Sequence, residues 1–298
     1  MALPSYATPV QRTYYYAYLF FCCVVFFFLV APLIAIIPIS FSVSPFMVFT
    51  GEMLAWPPDP EAWSLRWYQN MIGNCSADVV SSTVPCSNKW MIGTVNSFFI
   101  GFIATFIATT LGTLAALGLS RPHMPYKGLI MAILISPMIV PLIITAAGMF
   151  FFYARINLVY SFTGIILAHV ALATPFVVIT VTATLVGFDM NMVKASQSLG
   201  ARPIRTFFKV IMPLILPGVI SGALFAFITS FDEVVIVMFM GSLDQLTIPK
   251  QMWAGIRQEI SPVILCMATC LVVLSILLLT TVELLRRRSE KLRGITSR

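Results

Sequence analysis

Asp189–Gly218 reads DMNMVKASQSLGARPIRTFFKVIMPLILPG, and it is the longest run after Ser120 that lies outside a hydrophobic segment. It is polar and cationic, and Gly200, Pro203, Pro213 and Pro217 cut it into short pieces. Asp189 suits an N-cap, and Met192, Val193, Ala195 and Leu199 recur at roughly helical spacing across Met190–Leu199. Gly200 supplies the left-handed position that ends a helix, and Pro203 suits the first turn of the next. That second helix, Ile204–Met212, sets Phe207, Phe208 and Val210–Met212 beside Arg202, Arg205 and Lys209. Pro213 and Pro217 then mark entry into an apolar segment. The stretch reads as a bent helical pair at a membrane surface, with one apolar side for a partner.

The membrane enters from composition. The chain has 298 residues, 59% of them hydrophobic and 10% charged, with a mean hydropathy of +0.95. A soluble domain carries about a quarter charged residues. Continuous apolar runs here exceed the roughly 20 residues that a spanning helix needs, whereas a β-barrel shows short alternating segments. Helices satisfy every backbone group within one segment, so the chain reads as an all-α membrane protein. Six transmembrane helices are expected near Ala17–Ser40, Gly93–Leu119, Gly128–Phe152, Phe162–Val186, Leu214–Met240 and Pro262–Val282.

The net charge of +7 is explained by its placement. Arg12, Arg121, Lys127, Lys194, Arg202, Arg205, Lys209 and the run Arg286–Arg288 with Lys291, Arg293 and Arg298 fall on one side. They outnumber Arg66, Lys89, Arg155, Lys250 and Arg257 on the other. The positive-inside rule puts the first set, and both termini, in the cytoplasm. The basic balance therefore implies topology and contact with membrane lipid, not a nucleic-acid partner. Residues 1–16 read as a cytoplasmic tail and 17–283 as the transmembrane domain, with a core over about 93–283 and the loop at 189–213. Residues 284–298 form a basic tail that stops at anionic headgroups.

The first span is too long for a signal-peptide core, and no small-residue cleavage site precedes the apolar run to Ile39. The long outer loop Ser42–Met91 carries Trp56, Trp63, Trp67 and Tyr68, read either as interfacial anchors or as a surface for a soluble partner. Cys22, Cys23, Cys266 and Cys270 lie in apolar spans and read as packing residues. Cys75 and Cys86 share the outer loop, where an oxidising compartment permits a disulfide, with free thiols the alternative. No metal-ligand spacing occurs. Ser136-Pro137 and Val140-Pro141 set a pair of breaks in span three, and their freed carbonyls either line a path or bond to neighbours.

Three groups stand out as ionisable residues within spans. His169 either bonds across helices or meets a solute. Asp232 and Glu233 lie in the outer third of span five, where a carboxylate is costly unless it meets water, a cation or a partner. Being adjacent, they diverge by about 100° and do not share one cavity squarely. One of them lines a path for a cationic solute while the other braces a helix or pairs with Arg257, or both hold an outer gate.

Catalytic signatures are missing. No GxxxxGK[ST] loop, nucleotide-binding βαβ unit, HExxH or GxSxG element occurs. If ATP drives transport, the hydrolysing subunit is a separate chain, and the Asp189–Met212 loop is the surface that receives its force. A secondary transporter is the rival class, but it would show an internal repeat with interrupted helices in both halves. No such symmetry is visible.

The central loop resembles that of the permease subunits of binding-protein-dependent ABC importers, whose motif runs Glu-Ala-Ala, three residues, Gly, nine residues, Ile-x-Leu-Pro. Lys194-Ala195-Ser196 stands where Glu-Ala-Ala is usual, followed by Gly200 and then Val210-Ile211-Met212-Pro213 at the expected distance. Leu199, Ala201, Phe208 and Leu214–Gly218 fit the same context. The likeness extends to Asn96-Ser97, Gly112–Ala116 and Arg121. Ser64–Tyr68, Phe231–Val235 and the outer loop Leu246–Pro262 resemble the spermidine/putrescine type, so that it covers nearly all of Ser64–Val282. The resemblance implies the type I ABC importer permease fold. It also implies a loop that couples to the ATPase through Lys194, Ala195, Ser196, Leu199, Gly200, Ala201, Phe208 and Pro213.

The same resemblance implies the assembly. Two ATP-binding subunits would hold the ATP and Mg, leaving no cofactor in this chain. A second, homologous permease and a periplasmic solute-binding protein would complete it in the bacterial inner membrane. A polyamine is the expected solute, with opine, amino-acid-like and phosphonate solutes as alternatives.

Overall fold

A computed structural model describes residues 8–57, 59–74, 88–121, 123–186, 189, 191–258 and 261–292, with side chains described except at 258, 281–283 and 285–292. Among them every regular element is a helix, apart from one antiparallel bridge between Ser42 and Trp63. The first elements are α1 (Pro9–Ile39), α2 (Gly51–Leu54), a 3-10 turn (Pro60–Ala62) and α3 (Arg66–Met71). Then come α4 (Lys89–Leu119), α5 (Lys127–Ile139), α6 (Leu142–Arg155), α7 (Phe162–Val186) and α8 (Asn191–Ser198). After these, α9 (Pro203–Thr206) runs through a π-helical turn (Phe207–Ile211) into α10 (Met212–Phe231), followed by α11 (Val235–Met240), α12 (Ile248–Gln258) and α13 (Val263–Leu292). Among the described residues five helices are long and apolar enough to cross a membrane singly, and the bent pair α5 and α6 brings the number to six if the two are one span.

The described residues fall into two units, within Met1–Asn88 with Gly255–Arg298 and within Lys89–Ala254. In the first, α1 opens with a capping box: Thr8 Oγ1 accepts the Gln11 N–H, and Gln11 Oε1 accepts the Thr8 N–H. It begins at Pro9, inside the stretch assigned to the N-terminal tail, and α13 likewise stays helical to Leu292. The described residues that follow α1 in this unit, 40–57 and 59–74, are folded on themselves. Trp67 is fully enclosed and its Nε1 donates to Ser42 O at 2.8 Å, so it is a core residue rather than an interfacial anchor. Tyr68 and Ser40 share a hydroxyl–hydroxyl bond of 2.7 Å, and the Cys266 thiol donates to Ser40 O. Cys23, expected to pack, is exposed on α1, a helix with no enclosed residue. The expected Cys75–Cys86 pairing lies outside the described residues.

The second unit is a three-helix core of α4, α7 and α10 with α7 at its centre. Small residues set the spacing. A Cβ on Gly112 would fall 2.7 Å from the Val177 Cβ, and one on Gly222 would fall 2.6 Å from Thr180 Oγ1 and 3.0 Å from the Val177 Cα. One on Gly218 would strike Thr184. Such contacts let the backbones approach closely, the packing that membrane helices use where hydrophobicity offers no drive. Pairings give the directions. Phe99 meets Phe162 and Gly112 meets Val177, so α4 and α7 run parallel; Thr184 faces Gly218 and His169 faces Ser230, so α7 and α10 run antiparallel. Thr174, Thr180 and Thr184 return their hydroxyls to carbonyls of their own helix, which removes the cost of burying them.

Three expectations are corrected here. Of the pair of breaks expected in span three, only that at Val140-Pro141 occurs, and α5 and α6 meet there at 102°. Val140 is extended (φ −71°, ψ 137°) because the proline ring that follows disfavours the α region, whereas Pro137 is absorbed within α5. Span five does not continue to Met240: α10 stops at Phe231, and Asp232–Val234 lead into α11. The second loop helix is not a separate piece, since Pro203–Phe231 is one helical run of 29 residues. The π turn lets it pass Pro213. In place of an α-helical bond, the Met212 N–H donates five residues back to Phe207 O, which widens the turn where the proline ring would crowd the carbonyl of Lys209.

Candidate functional site

The loop between α7 and α10 is built from local signals. Asp189 caps α8, accepting the Asn191 N–H on its carboxylate at 2.9 Å and the Met192 N–H on its carbonyl at 3.2 Å. Gly200 has φ +80° and ends the helix, with its N–H on Gln197 O (2.9 Å) and the Ala201 N–H on Ser196 O (3.1 Å). Arg202 is extended and Pro203 opens α9. The two arms are tied by Ser196 Oγ and Thr206 Oγ1 at 3.0 Å. Ser196 is one of the two departures from the usual motif, and an alanine in its place has no hydroxyl to make this tie. Lys194, Ala195, Leu199, Gly200, Phe208 and Pro213 are exposed, and Ala201 is half-buried. Leu199 is 88% exposed, and Met192 and Ile204, which the motif does not single out, add to the same open apolar display. Their hydrophobic character at an exposed loop was the available signal.

A second group gathers where α10 ends. Asp232 closes that helix, donating its N–H to Ile228 O at 3.0 Å, and its side chain is exposed. Glu233 is 7% exposed, and its Oε1 accepts the Ile236 N–H at 2.9 Å, in the first turn of α11. The chain breaks between these two residues, so neighbours in sequence serve opposite ends of two helices. His169 is buried on α7 and shares a 2.8 Å hydrogen bond between its Nδ1 and Ser230 Oγ, two residues before Asp232. Its ring therefore joins α7 to the end of α10.

The far end of α11 is held too. Lys250 Nζ donates to Gly241 O (2.9 Å) and Ser242 O (3.2 Å), and the Tyr160 N–H donates to Met240 O (2.9 Å). Burial lowers the pKa of the Lys250 ammonium below its ordinary range. The segment beyond is pinned to α4: Asn96 Nδ2 donates to Asp244 O (2.8 Å) and Leu246 O (2.9 Å), and Ser97 Oγ accepts the Ile248 N–H (2.9 Å). Gly93 leaves room for this, since a Cβ there would lie 3.3 Å from the Thr247 carbonyl carbon. Lys250, Asn96 and Ser97 were not among the expected site residues. The polar pair Asn96-Ser97 in an apolar span was the signal, because buried amides need partners.

Residues 108–291 match the family model described as "Binding-protein-dependent transport system inner membrane component". The chain belongs to this family. It is a permease subunit of a binding-protein-dependent ABC importer. The spermidine/putrescine transport system permease protein PotC of Haemophilus influenzae is 28% identical over 80% of this chain and 86% of its own. PotC of Escherichia coli is 28% identical over 88% and 91%. The putrescine transport system permease protein PotI of Escherichia coli is 28% identical over 81% and 80%. Among solved structures, one chain of a bacterial ABC transporter involved in the import of the acidic polysaccharide alginate superposes with a TM-score of 0.68 at 14% identity. That match covers 96% of the permease and 99% of the other chain, so the two share a fold.

Proposed function

We propose that this permease imports a small cationic amine, putrescine or spermidine foremost. The observation that carries the reading is Asp232, an exposed carboxylate at the C-terminal end of α10. A helix presents its negative pole there, so the carboxylate is disfavoured by its own helix and favoured by an arriving cation. The relatives named for spermidine and putrescine, similar over most of the chain, support the same class. An amino-acid-like or opine solute also presents an ammonium group and is the alternative; a phosphonate would meet the wrong charge.

In this reading the permease does no chemistry and holds no cofactor. It works in the bacterial inner membrane with both termini in the cytoplasm. A second, homologous permease and two ATP-binding subunits carrying ATP and Mg complete the complex, and a periplasmic binding protein delivers the solute. The Asp189–Pro213 loop docks on an ATP-binding subunit through Leu199, Ile204 and Phe208, with Lys194 toward an acidic patch. Closure of the ATP-binding pair draws the loops together and rocks the helices between inward-open and outward-open states.

The test is uptake of putrescine by the complete complex in proteoliposomes. Asp232→Asn is expected to slow uptake about tenfold, the equivalent of ~1.4 kcal/mol, while ATP hydrolysis still responds to loaded binding protein. Undiminished uptake by the variant, or no competition from other amines, would sink the reading.

A further inference from the structure

We propose that Glu233 and Lys250 are positioning residues that grip α11 from its two ends, so that the hairpin formed by residues 235–250 moves as one piece with Asp232 at its hinge. Two charged side chains converge on a helix of six residues. Such a helix is far too short to be stable by itself. The Glu233 carboxylate sits at the N-terminal pole and the Lys250 ammonium at the C-terminal pole, each opposite in sign to the end it meets. Both contacts are charge-assisted, and such bonds are about twice as strong as neutral ones; that of Glu233 is buried and those of Lys250 are half-buried. The remaining ties complete the grip: Tyr160 holds the last carbonyl of α11, and Asn96 and Ser97 hold Asp244, Leu246 and Ile248.

This divides the acidic pair. Glu233 has its carboxylate oxygen on the α11 backbone and is enclosed, so it is committed within the chain. Asp232 is exposed. The function of Glu233 is then to fix where the chain turns, which decides where Asp232 points. The inference needs the permease assignment but not the amine reading.

The two roles give different signatures in the complete complex. A glutamine at 233 keeps a carbonyl oxygen for the Ile236 N–H, whereas alanine has no acceptor. Glu233→Ala and Lys250→Met are expected to speed hydrogen exchange at residues 235–242 by about tenfold, the scale of one lost charge-assisted bond. They should lower the maximal rate of putrescine uptake with KM within about threefold, as expected when a group acts by holding geometry rather than by binding solute. Glu233→Gln should stay close to the parent in exchange. The inference is overturned if Glu233→Gln raises KM as much as Glu233→Ala does while exchange over 235–242 is unchanged. That result would make Glu233 a ligand of the solute. Should Glu233→Ala not assemble, Lys250→Met and Glu233→Gln carry the test: faster exchange in the first with protection kept in the second supports the grip, and no change in the first defeats it. Because exchange is read without solute, loss of the amine reading leaves this result standing.

Discussion

Replacing Gly200 separates what the chain requires from what its partner requires. The residue has φ +80°, and a Cβ built there meets nothing within 4 Å. Inside this chain the only cost of a side chain is therefore the backbone, about 1 kcal/mol for alanine and about 2 kcal/mol for a β-branched residue in the left-handed region. The strain falls on the turn that Gln197 O and Ser196 O close, not on the α4–α7–α10 core. Insertion should be normal. Docking that needs the turn should weaken about fivefold for Gly200→Ala, since 1 kcal/mol is that factor. Gly200→Val adds bulk on an open surface beside Leu199 and should abolish stimulation of ATP hydrolysis by loaded binding protein. Gly200→Asn tells the causes apart, because asparagine tolerates the left-handed region yet projects a side chain from the same place. If Asn outperforms Ala, the backbone dominates; if Ala outperforms Asn, the partner surface does. Full stimulation by the valine variant in reconstituted complexes would refute the reasoning.

The remaining predictions bear on packing and orientation. Gly222→Ala should force α7 and α10 apart and destabilise the permease by about 1–3 kcal/mol, read as a lower thermal midpoint in detergent. Gly148→Ala, on α6 where a Cβ meets nothing, should not lower it. In a cysteine-free background, thiols at Leu199 and Leu243, both strongly exposed, should label from opposite sides of the membrane. Labelling of both from one side would overturn the proposed topology.

How much of this was legible in the sequence varied with the kind of signal. The α8–Gly200–Pro203 turn could be read because each joint is marked by a residue with few backbone options. Span three reads as broken at both of its prolines, since both carry the same mark, but the chain breaks only at Val140-Pro141. Pro137 stays inside α5, and nothing in the sequence beside it marks the difference from Pro141. The end of α10 carried no mark at all. No glycine or proline stands at Asp232–Val234, and Phe231 to Met240 is otherwise apolar enough to continue a helix. The split between Asp232 and Glu233 depends on that unmarked break, so adjacent acids of similar chemistry looked alike. Trp56 and Trp67 pose the same problem: composition makes both candidates for the interface, but Trp67 is enclosed and Trp56 is 94% exposed.

The unbroken run from Pro203 to Phe231 has a mechanical consequence. Twenty-nine residues at ~1.5 Å each make a connecting rod of about 43 Å, one end in the Ser196–Thr206 brace and the other at Asp232. A helix is stiff along its axis, and the places in this rod where an α-helical bond is lost, the π turn and Pro217, come no further along than its middle. Axial thrust applied at the brace therefore arrives at Asp232 almost undiminished, and the two ends keep time with each other. A lag between motion at the loop and motion at the hairpin would have to be created by softening the far half of the rod, as a further proline near Ala226 would do.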